Sequence, residues 1–197
     1  MTKISDSRRI CFLVLALLLL GSLGVGAVYG YWVVFDHRFT TITEGRIYKS
    51  GAMSPETLVD KVRRYGIKTV IDLRSNSTKV DTERSALEQV GVQYFHIPSR
   101  QIPANETMEA FLEVMDNHAD PPILIHCKHG EGRSVLFAAI YRMEYESWSK
   151  ERARRASRFL PFLGSFSPDS RKGIFIRNYV PRRQRDNLND PPTPPRQ

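Results

Sequence analysis

A cysteine stands directly after an apolar run in the stretch LIHCKHGEGRSVLF, residues 124–137, and an arginine and a serine follow six and seven positions later. The run ILIH predicts a buried strand, and the apolar period after Ser134 predicts a helix that ends near Tyr145. Gly130 and Gly132 allow the backbone to curl so that its amide N–H groups point inward, at the positive end of the helix dipole. The sequence therefore predicts an anion-binding loop around a cysteine.

These residue types suit the transfer of a phosphoryl group. A cysteine at a helix N-terminus beside a guanidinium has a lowered pKa, so Cys127 is predicted to be a thiolate and the nucleophile. Arg133 is predicted to bind two phosphate oxygens with its planar fork, and Ser134 to donate its hydroxyl to the sulfur when that becomes the leaving group. The predicted phosphate-binding residues are Lys128, His129, Gly130, Glu131, Gly132 and Arg133.

The pattern HCKHGEGRS resembles the H-C-x5-R-S signature of the cysteine-dependent protein tyrosine and dual-specificity phosphatases, and small bacterial members are especially similar. RIYKSGAMSPETL and YGIKTVIDLRS also resemble upstream blocks of that family, so the resemblance covers about residues 44–160. It implies a phosphatase that forms a phosphocysteine intermediate, with a phosphoprotein as the substrate. Val135 stands where most members have glycine, a difference expected to affect packing more than chemistry.

The general acid of this family is usually an aspartate on a mobile loop before the cysteine, and the corresponding stretch PSRQIPANE, 98–106, has no aspartate. Three carboxylates are therefore candidates. The resemblance places Glu131 near the pocket mouth, where it could donate a proton or repel polyanionic substrates. Glu106 ends the upstream loop. Asp72 ends a predicted strand, where a structural pair with Arg74 on the same side is the stronger interpretation.

Several other interpretations stay open. Cys127 could be a small buried hydrophobic residue, although it leaves its strand for a glycine-containing loop. A rhodanese-like protein also carries a cysteine loop at a helix start, but the upstream blocks argue against it. The substrate could be a lipid phosphate, or the chain could be a catalytically weak phosphate-binding module without a general acid. His129 is expected at the pocket rim, and because no other His, Asp or Glu cluster has ligand spacing, we expect no metal and no cofactor.

Residues 10–35, ICFLVLALLLLGSLGVGAVYGYWVVF, carry no charge and exceed the roughly 20 apolar residues that span a bilayer. We predict one uncleaved transmembrane anchor whose last aromatic residues lie at the membrane interface. A signal peptide cleaved after Ala27 is the alternative. Because the basic cluster before the segment is the tighter one, residues 1–9 are predicted to be cytoplasmic and the catalytic domain periplasmic, in a single-pass protein of the inner membrane.

Beyond this segment the chain alternates predicted strands and helices, which indicates an α/β fold with a mainly parallel central sheet flanked by helices. Strands are predicted near 47–51, 67–73, 92–97 and 123–126, and helices near 55–65, 81–91, 106–118, 134–145, 150–160 and 167–179. The phosphatase domain is predicted over 38–180, and a disordered basic and proline-rich tail over 181–197.

The net charge of +8 arises near the C-terminus, because residues 150–185 carry eleven basic side chains against Glu151 and Asp169. A solvated helix face explains such a run, and on a membrane-tethered domain it could also hold anionic lipid head groups. No nucleic-acid motif accompanies it, so the expected partners are the membrane and a phosphoprotein or phospholipid substrate, and not a nucleic acid. We expect a monomer.

Overall fold

The computed structural model describes residues 3–75, 79–158 and 165–189, with side chains from residue 8 to residue 185 within those ranges. The chain divides into two units, Met1–Arg38 and Phe39–Gln197.

The first unit is a single long helix, α1, Lys3–Val34. Its segment Arg8–Val34 is long and apolar enough to cross a membrane, and its side chains are exposed. This agrees with the apolar helix predicted over 10–35. A signal sequence near the N-terminus has the same length and composition, so the helix is a candidate membrane span.

The second unit is built around a five-stranded sheet with the order β1-β2-β5-β3-β4. The strands are β1 Thr40–Thr43, β2 Ile47–Gly51, β3 Thr69–Asp72, β4 Gln93–His96 and β5 Ile123–Cys127. β2, β5, β3 and β4 pair in parallel, whereas β1 pairs with β2 antiparallel. The prediction of a mainly parallel α/β fold is confirmed. The short edge strand β1, whose sequence TTIT lacks a long apolar run, was not predicted.

Helices cover both faces of this sheet, as the connections between parallel strands require. They are α2 Pro55–Tyr65, α3 Lys79–Glu88, α4 Asn105–Asn117, α5 Arg133–Tyr145, α6 Lys150–Ala156, α7 Arg171–Asn178 and α8 Arg182–Asn189. Ser54 caps α2 and Ser149 caps α6, each by accepting a backbone N–H in the first turn, as their sequences predict. The cap of α7 is Ser170, three residues after the start of the helix predicted near 167–179.

Two apolar layers form because successive strand side chains point to opposite faces. Ile71 and Ile125 face one layer, which includes the buried side chains of α4, α5, α6 and α7. Val70 and Leu124 face the other, which is closed by α2 and α3. The first layer includes Met108, Phe111 and Leu112 of α4, and Met115 packs against it, so apolar residues at helical spacing form the buried face of α4. The buried β5 and α5 give a rigid base to the loop between them.

The helix α8 lies within the segment 181–197 that the sequence predicts to be disordered. Arg182 begins this helix with its guanidinium on Glu144, at 3.1 Å between Nε and Oε2, and also pairs with Asp116. The backbone N–H of Arg182 donates to the same Glu144 carboxylate. Composition predicted disorder because the segment has few apolar residues, but ion pairs to the folded domain anchor its start. Residues 190–197, also predicted to be disordered, lie outside the described residues.

Candidate active site

The loop 128–132 connects β5 to α5 at the carboxyl edge of the parallel strands, where ligands bind in open α/β sheets. The end of β2 supports it. Gly130 has a φ of 73°, and a Cβ there would lie 2.5 Å from the backbone nitrogen of Gly51, so both conformation and space require glycine. Lys49 Nζ donates to the carbonyl of Gly130 at 3.0 Å, and the N–H of Ala52 donates to the carbonyl of Lys128 at 3.3 Å.

Cys127 ends β5 at the base of this loop and is 3% exposed. Its sulfur lies 3.4 Å from Ser134 Oγ, and the Gly130 N–H donates to it at 3.3 Å. Burial by itself would raise the pKa of Cys127, but hydrogen bonds from the Ser134 hydroxyl and from the N–H groups of Ser134, Gly130 and His129 outweigh it and lower the pKa. The loop therefore stabilises a thiolate, the form of cysteine that attacks phosphorus.

Arg133 is the first residue of α5. Its Nη1 donates to the carbonyls of Leu73, at 2.7 Å, and Ser99, at 3.1 Å, while Nε has no hydrogen-bond partner among the described residues. The two carbonyls follow β3 and β4, so these neighbouring loops orient the guanidinium. A guanidinium held by one nitrogen on the wall of the cavity that Cys127 also lines is well placed to bind an anion there.

The loop opens into a cavity of about 190 Å³. That is the room of about six water molecules at roughly 30 Å³ each, which suits a phosphate ester. Its lining residues are Gln101, Cys127, His129, Glu131, Gly132, Arg133, Ser165 and Lys172. Of the predicted phosphate-binding residues, His129, Glu131, Gly132 and Arg133 therefore meet in this cavity with Cys127. Lys128 has an exposed side chain outside this lining, and Gly130 is buried below it.

The three candidate general acids lie in different places. Glu131 lines the cavity, whereas Glu106 is exposed in the first turn of α4 and does not line it. Asp72 is fully buried. Burial opposes its ionisation, but His126 and the hydrogen bonds of Arg74 outweigh it and lower the pKa of Asp72 to about 2. Asp72 is thus a buried partner of Arg74 outside the lining of the cavity, and of the three candidates only Glu131 lies on the cavity wall.

Asp72 belongs to a buried charge cluster that we define as Asp72, Arg74, Glu83 and His126. The guanidinium of Arg74 donates to both oxygens of Asp72 and, at 2.9 Å, to Glu83 Oε2. His126 Nε2 lies 2.9 Å from Glu83 Oε1, at an angle that does not form a hydrogen bond. The structural pair of Asp72 with Arg74 is present, as the sequence predicted.

The side chains of Asp72, Glu83 and His126 could also ligate a metal ion, because their ligand atoms lie within 4.8 Å of one another. Arg74 already places a positive charge on both carboxylates. The cluster thus already holds one cationic side chain between its two carboxylates, and the expected absence of a metal from the reaction stays a prediction.

Sequence reasoning missed three residues that line the cavity, Gln101, Ser165 and Lys172. Gln101 lies in the loop where the related phosphatases usually carry their aspartate, so its position was a usable signal. Ser165 and Lys172 lie more than thirty residues beyond Cys127, and no motif connects them to the loop. Arg154, counted within the exposed basic run, is 4% exposed and donates to the carbonyl of Phe166 at 2.9 Å.

A parallel sheet whose central strand ends in a cysteine, followed by an arginine at the start of the next helix, defines the protein tyrosine phosphatase class of fold. The crystal structure of TpbA from P. aeruginosa has a similar fold, with a TM-score of 0.58, 22% identity, and coverage of 79% of this chain and 92% of that one. The catalytic core of the PP-IP phosphatase SIW14 from S. cerevisiae is similar at a TM-score of 0.58, 21% identity, and coverage of 76% and 90%.

A family model described as a DSP-PTPase phosphatase fused to NAD+ kinase matches residues 27–163, and the chain belongs to this family. The dual specificity protein phosphatase TpbA of Pseudomonas aeruginosa is 28% identical over 109 residues, which are 54% of this chain and 47% of TpbA. The tyrosine-protein phosphatase-like protein OCA2 of Saccharomyces cerevisiae is 26% identical over 110 residues, 54% of this chain and 56% of OCA2. The chain thus spans about half the length of the curated relatives it matches. The predicted phosphatase family is confirmed.

Proposed function

We propose that this protein is a membrane-anchored phosphatase that hydrolyses phosphate monoesters, phosphotyrosine among them, through a phosphocysteine intermediate on Cys127. One observation carries the proposal: a cysteine with a lowered pKa lies at the base of a phosphate-sized cavity, with Arg133 on its wall and Ser134 against the sulfur. A phosphate-binding module would not need the nucleophile, and a buried hydrophobic cysteine would not be surrounded by donors.

The reaction has two displacements. In the first, Cys127 Sγ attacks phosphorus, a S–P bond forms, the P–O bond to the substrate breaks, and the leaving oxygen takes a proton from Glu131. Arg133 and the amides of the loop bind the equatorial oxygens, whose charge they stabilise in the transition state. In the second, water attacks phosphorus and gives a proton to Glu131, the S–P bond breaks, and inorganic phosphate leaves. The Ser134 hydroxyl donates to the departing sulfur and stabilises the thiolate.

The substrate assay separates the phosphatase from its alternatives. The purified domain from residue 38 onward and its Cys127→Ser variant would be given a phosphotyrosine peptide and a phospholipid phosphate. We expect peptide hydrolysis that falls roughly 1,000-fold or more in the variant, because serine is far less ionised than this thiol. Phosphate binding without turnover would support the binding module, and equal activity of the two proteins would contradict the role of Cys127.

A lipid phosphate is the second candidate substrate, because α1 could anchor the domain at a bilayer and α6 to α8 carry the basic excess. Hydrolysis of the phospholipid phosphate in vesicles, with little hydrolysis of the peptide, would favour it. The matched control is the same assay in detergent, which removes the surface and leaves the chemistry unchanged.

The role of Glu131 is tested by its leaving-group dependence. Glu131→Gln is expected to slow an alkyl phosphate by roughly 100-fold and an activated aryl phosphate much less, because only the poor leaving group needs a proton in the transition state. An equal effect on the two substrates would contradict proton donation. If Glu131 instead repels a second phosphate, Glu131→Lys would raise kcat/KM for polyphosphorylated inositol head groups relative to the peptide.

The proposed topology places residues 1–9 in the cytoplasm, the anchor at 10–35, and the phosphatase domain in the periplasm. In spheroplasts, added protease is expected to digest the domain while the protein fractionates with the membrane. Protection of the domain would reverse the orientation. A shortened soluble product would indicate cleavage near Ala27 and replace the anchor by a signal peptide.

A further inference from the structure

Lys172 reaches the phosphate cavity from outside the cysteine loop. It is the second residue of α7 and lines the same cavity as Cys127 and Arg133. A methyl carbon on Gly132 would lie 2.7 Å from Lys172 Nζ, so the ammonium group lies directly over the backbone of the loop. The cavity thus has a second cationic side chain on its wall, contributed by an element that the H-C-x5-R-S motif does not include.

The fold holds α7 in the position that this contact needs. A Cβ on Gly173 would lie 1.9 Å from the carbonyl oxygen of Ser167, so only glycine permits the close approach of α7 to the preceding turn. Ser170 Oγ donates to the carbonyls of Ser165 and Ser167 and accepts the Gly173 N–H at 3.0 Å. Ile176 is fully buried in the same layer as α5. Lys172 is therefore presented by a fixed helix start.

The electrostatic surroundings of Lys172 are those of an anion site. Burial lowers its pKa, and Arg133 and Arg171 lower it further, while Cys127 and Glu131 favour the charged form. Burying a second cation beside Arg133 costs free energy unless anions compensate it. The Cys127 thiolate supplies one such charge, and a phosphate dianion in the cavity would supply the rest.

We propose that Lys172 is a substrate-binding residue whose ammonium group contacts a non-bridging oxygen of the phosphate held over Cys127. This rests on the proposed function, since it assumes that the cavity binds a phosphate ester. Arg133 at the start of α5 and Lys172 at the start of α7 then hold the phosphate together. A charge on a flexible stem adjusts to the oxygens as they move during transfer.

The test compares Lys172→Met, which keeps length and removes charge, with Arg171→Gln, which removes the same charge from the exposed neighbouring position. Binding of inorganic phosphate is measured by calorimetry, and kcat/KM with p-nitrophenyl phosphate. We expect Lys172→Met to weaken phosphate binding and lower kcat/KM by roughly 10- to 100-fold, the usual range for a hydrogen bond to a charged group. Arg171→Gln should change both by about twofold or less, and Lys172→Arg should recover most of the loss.

Two further measurements separate binding from a structural role. Gly132→Ala keeps the charge but fills the space of the ammonium group, so it should also weaken phosphate binding. In the wild type, phosphate affinity should fall on the alkaline side as Lys172 loses its proton, and Lys172→Met should lack this fall. Equal phosphate affinity in Lys172→Met and Arg171→Gln would overturn the proposal.

Failure of the proposed function gives a different result. In that case the wild-type protein would not hydrolyse the aryl phosphate in a Cys127-dependent way, although calorimetry would still report whether Lys172 contributes to phosphate binding. If the wild type hydrolyses the aryl phosphate and the Lys172→Met variant binds phosphate and hydrolyses the ester equally well, only the role of Lys172 is rejected.

Discussion

Two arginines, Arg74 and Arg133, follow strands at the same edge of the sheet but have different kinds of partner. Arg74, after β3, is buried, and its guanidinium is bound by the carboxylates of Asp72 and Glu83. Arg133, after β5, is anchored through Nη1 to two backbone carbonyls and lines an open cavity beside a thiolate. The difference lies in the partners, because one charge is compensated inside the protein whereas the other is oriented by neutral groups and left to bind an anion. Arg74 thus has carboxylate partners inside the fold, whereas Arg133 has a guanidinium oriented by backbone carbonyls on the cavity wall.

The largest effect is expected on stability at Arg74. Arg74→Met leaves two buried carboxylates without their cation, which costs roughly 3–5 kcal/mol of unfolding free energy. Urea denaturation of the catalytic domain measures it. Arg133→Met is the matched control. Its loss of unfolding free energy should be smaller, because Arg133 donates to backbone carbonyls and not to a buried carboxylate. Equal losses of unfolding free energy in the two variants would contradict the different roles of the two arginines.

Arg133→Lys should remove catalysis while the fold stays intact. An ammonium group cannot reproduce the planar fork, and loss of such a preorganised donor lowers kcat/KM roughly 100- to 1,000-fold. Steady-state kinetics with p-nitrophenyl phosphate, together with a denaturation curve, measures both properties. A variant with near-normal turnover would show that the guanidinium geometry is not used.

The buried charge cluster should also appear in the pH dependence of stability. The pKa of Asp72 is lowered to about 2 from an ordinary value of 3.8, so its contribution is complete above about pH 4 and is lost as the pH falls through 2. The shift corresponds to about 2 kcal/mol. Urea unfolding between pH 2 and pH 6 should show this loss in the wild type and a flatter profile in Asp72→Asn. Parallel pH profiles for the wild type and Asp72→Asn would show that ionisation of Asp72 does not contribute to stability.

The smallest effect is expected at Ser134, which lies beside Cys127 in the region of Arg133. Ser134→Ala removes a hydrogen bond to the Cys127 sulfur, so the pKa of the thiol should rise and its alkylation by iodoacetamide should begin at higher pH. Turnover should fall about fivefold, as expected for one neutral hydrogen bond. An unchanged alkylation profile would mean that the backbone N–H groups alone stabilise the thiolate.

The comparison also explains which parts of the molecule could be predicted. The buried strands, the apolar faces of α4 and α5, and the pairing of Asp72 with Arg74 follow from patterns within a few residues. The antiparallel strand β1 and the anchored helix α8 depend on partners elsewhere in the chain, such as Glu144 for Arg182. Local composition carries no signal for either.

The cysteine loop could be predicted from the amino-acid sequence, because its strand, glycines, arginine and following helix are contiguous in the chain. The apolar N-terminal helix could also be predicted, because its length and composition are sufficient to identify a candidate membrane span. The other residues of the cavity become apparent only when the chain is folded. Gln101 and Lys172 lie on separate segments of the chain. The packing of α7 against its preceding turn brings Lys172 to the cysteine loop. The loop after β4, which carries Gln101, is joined to Arg133 by the carbonyl of Ser99.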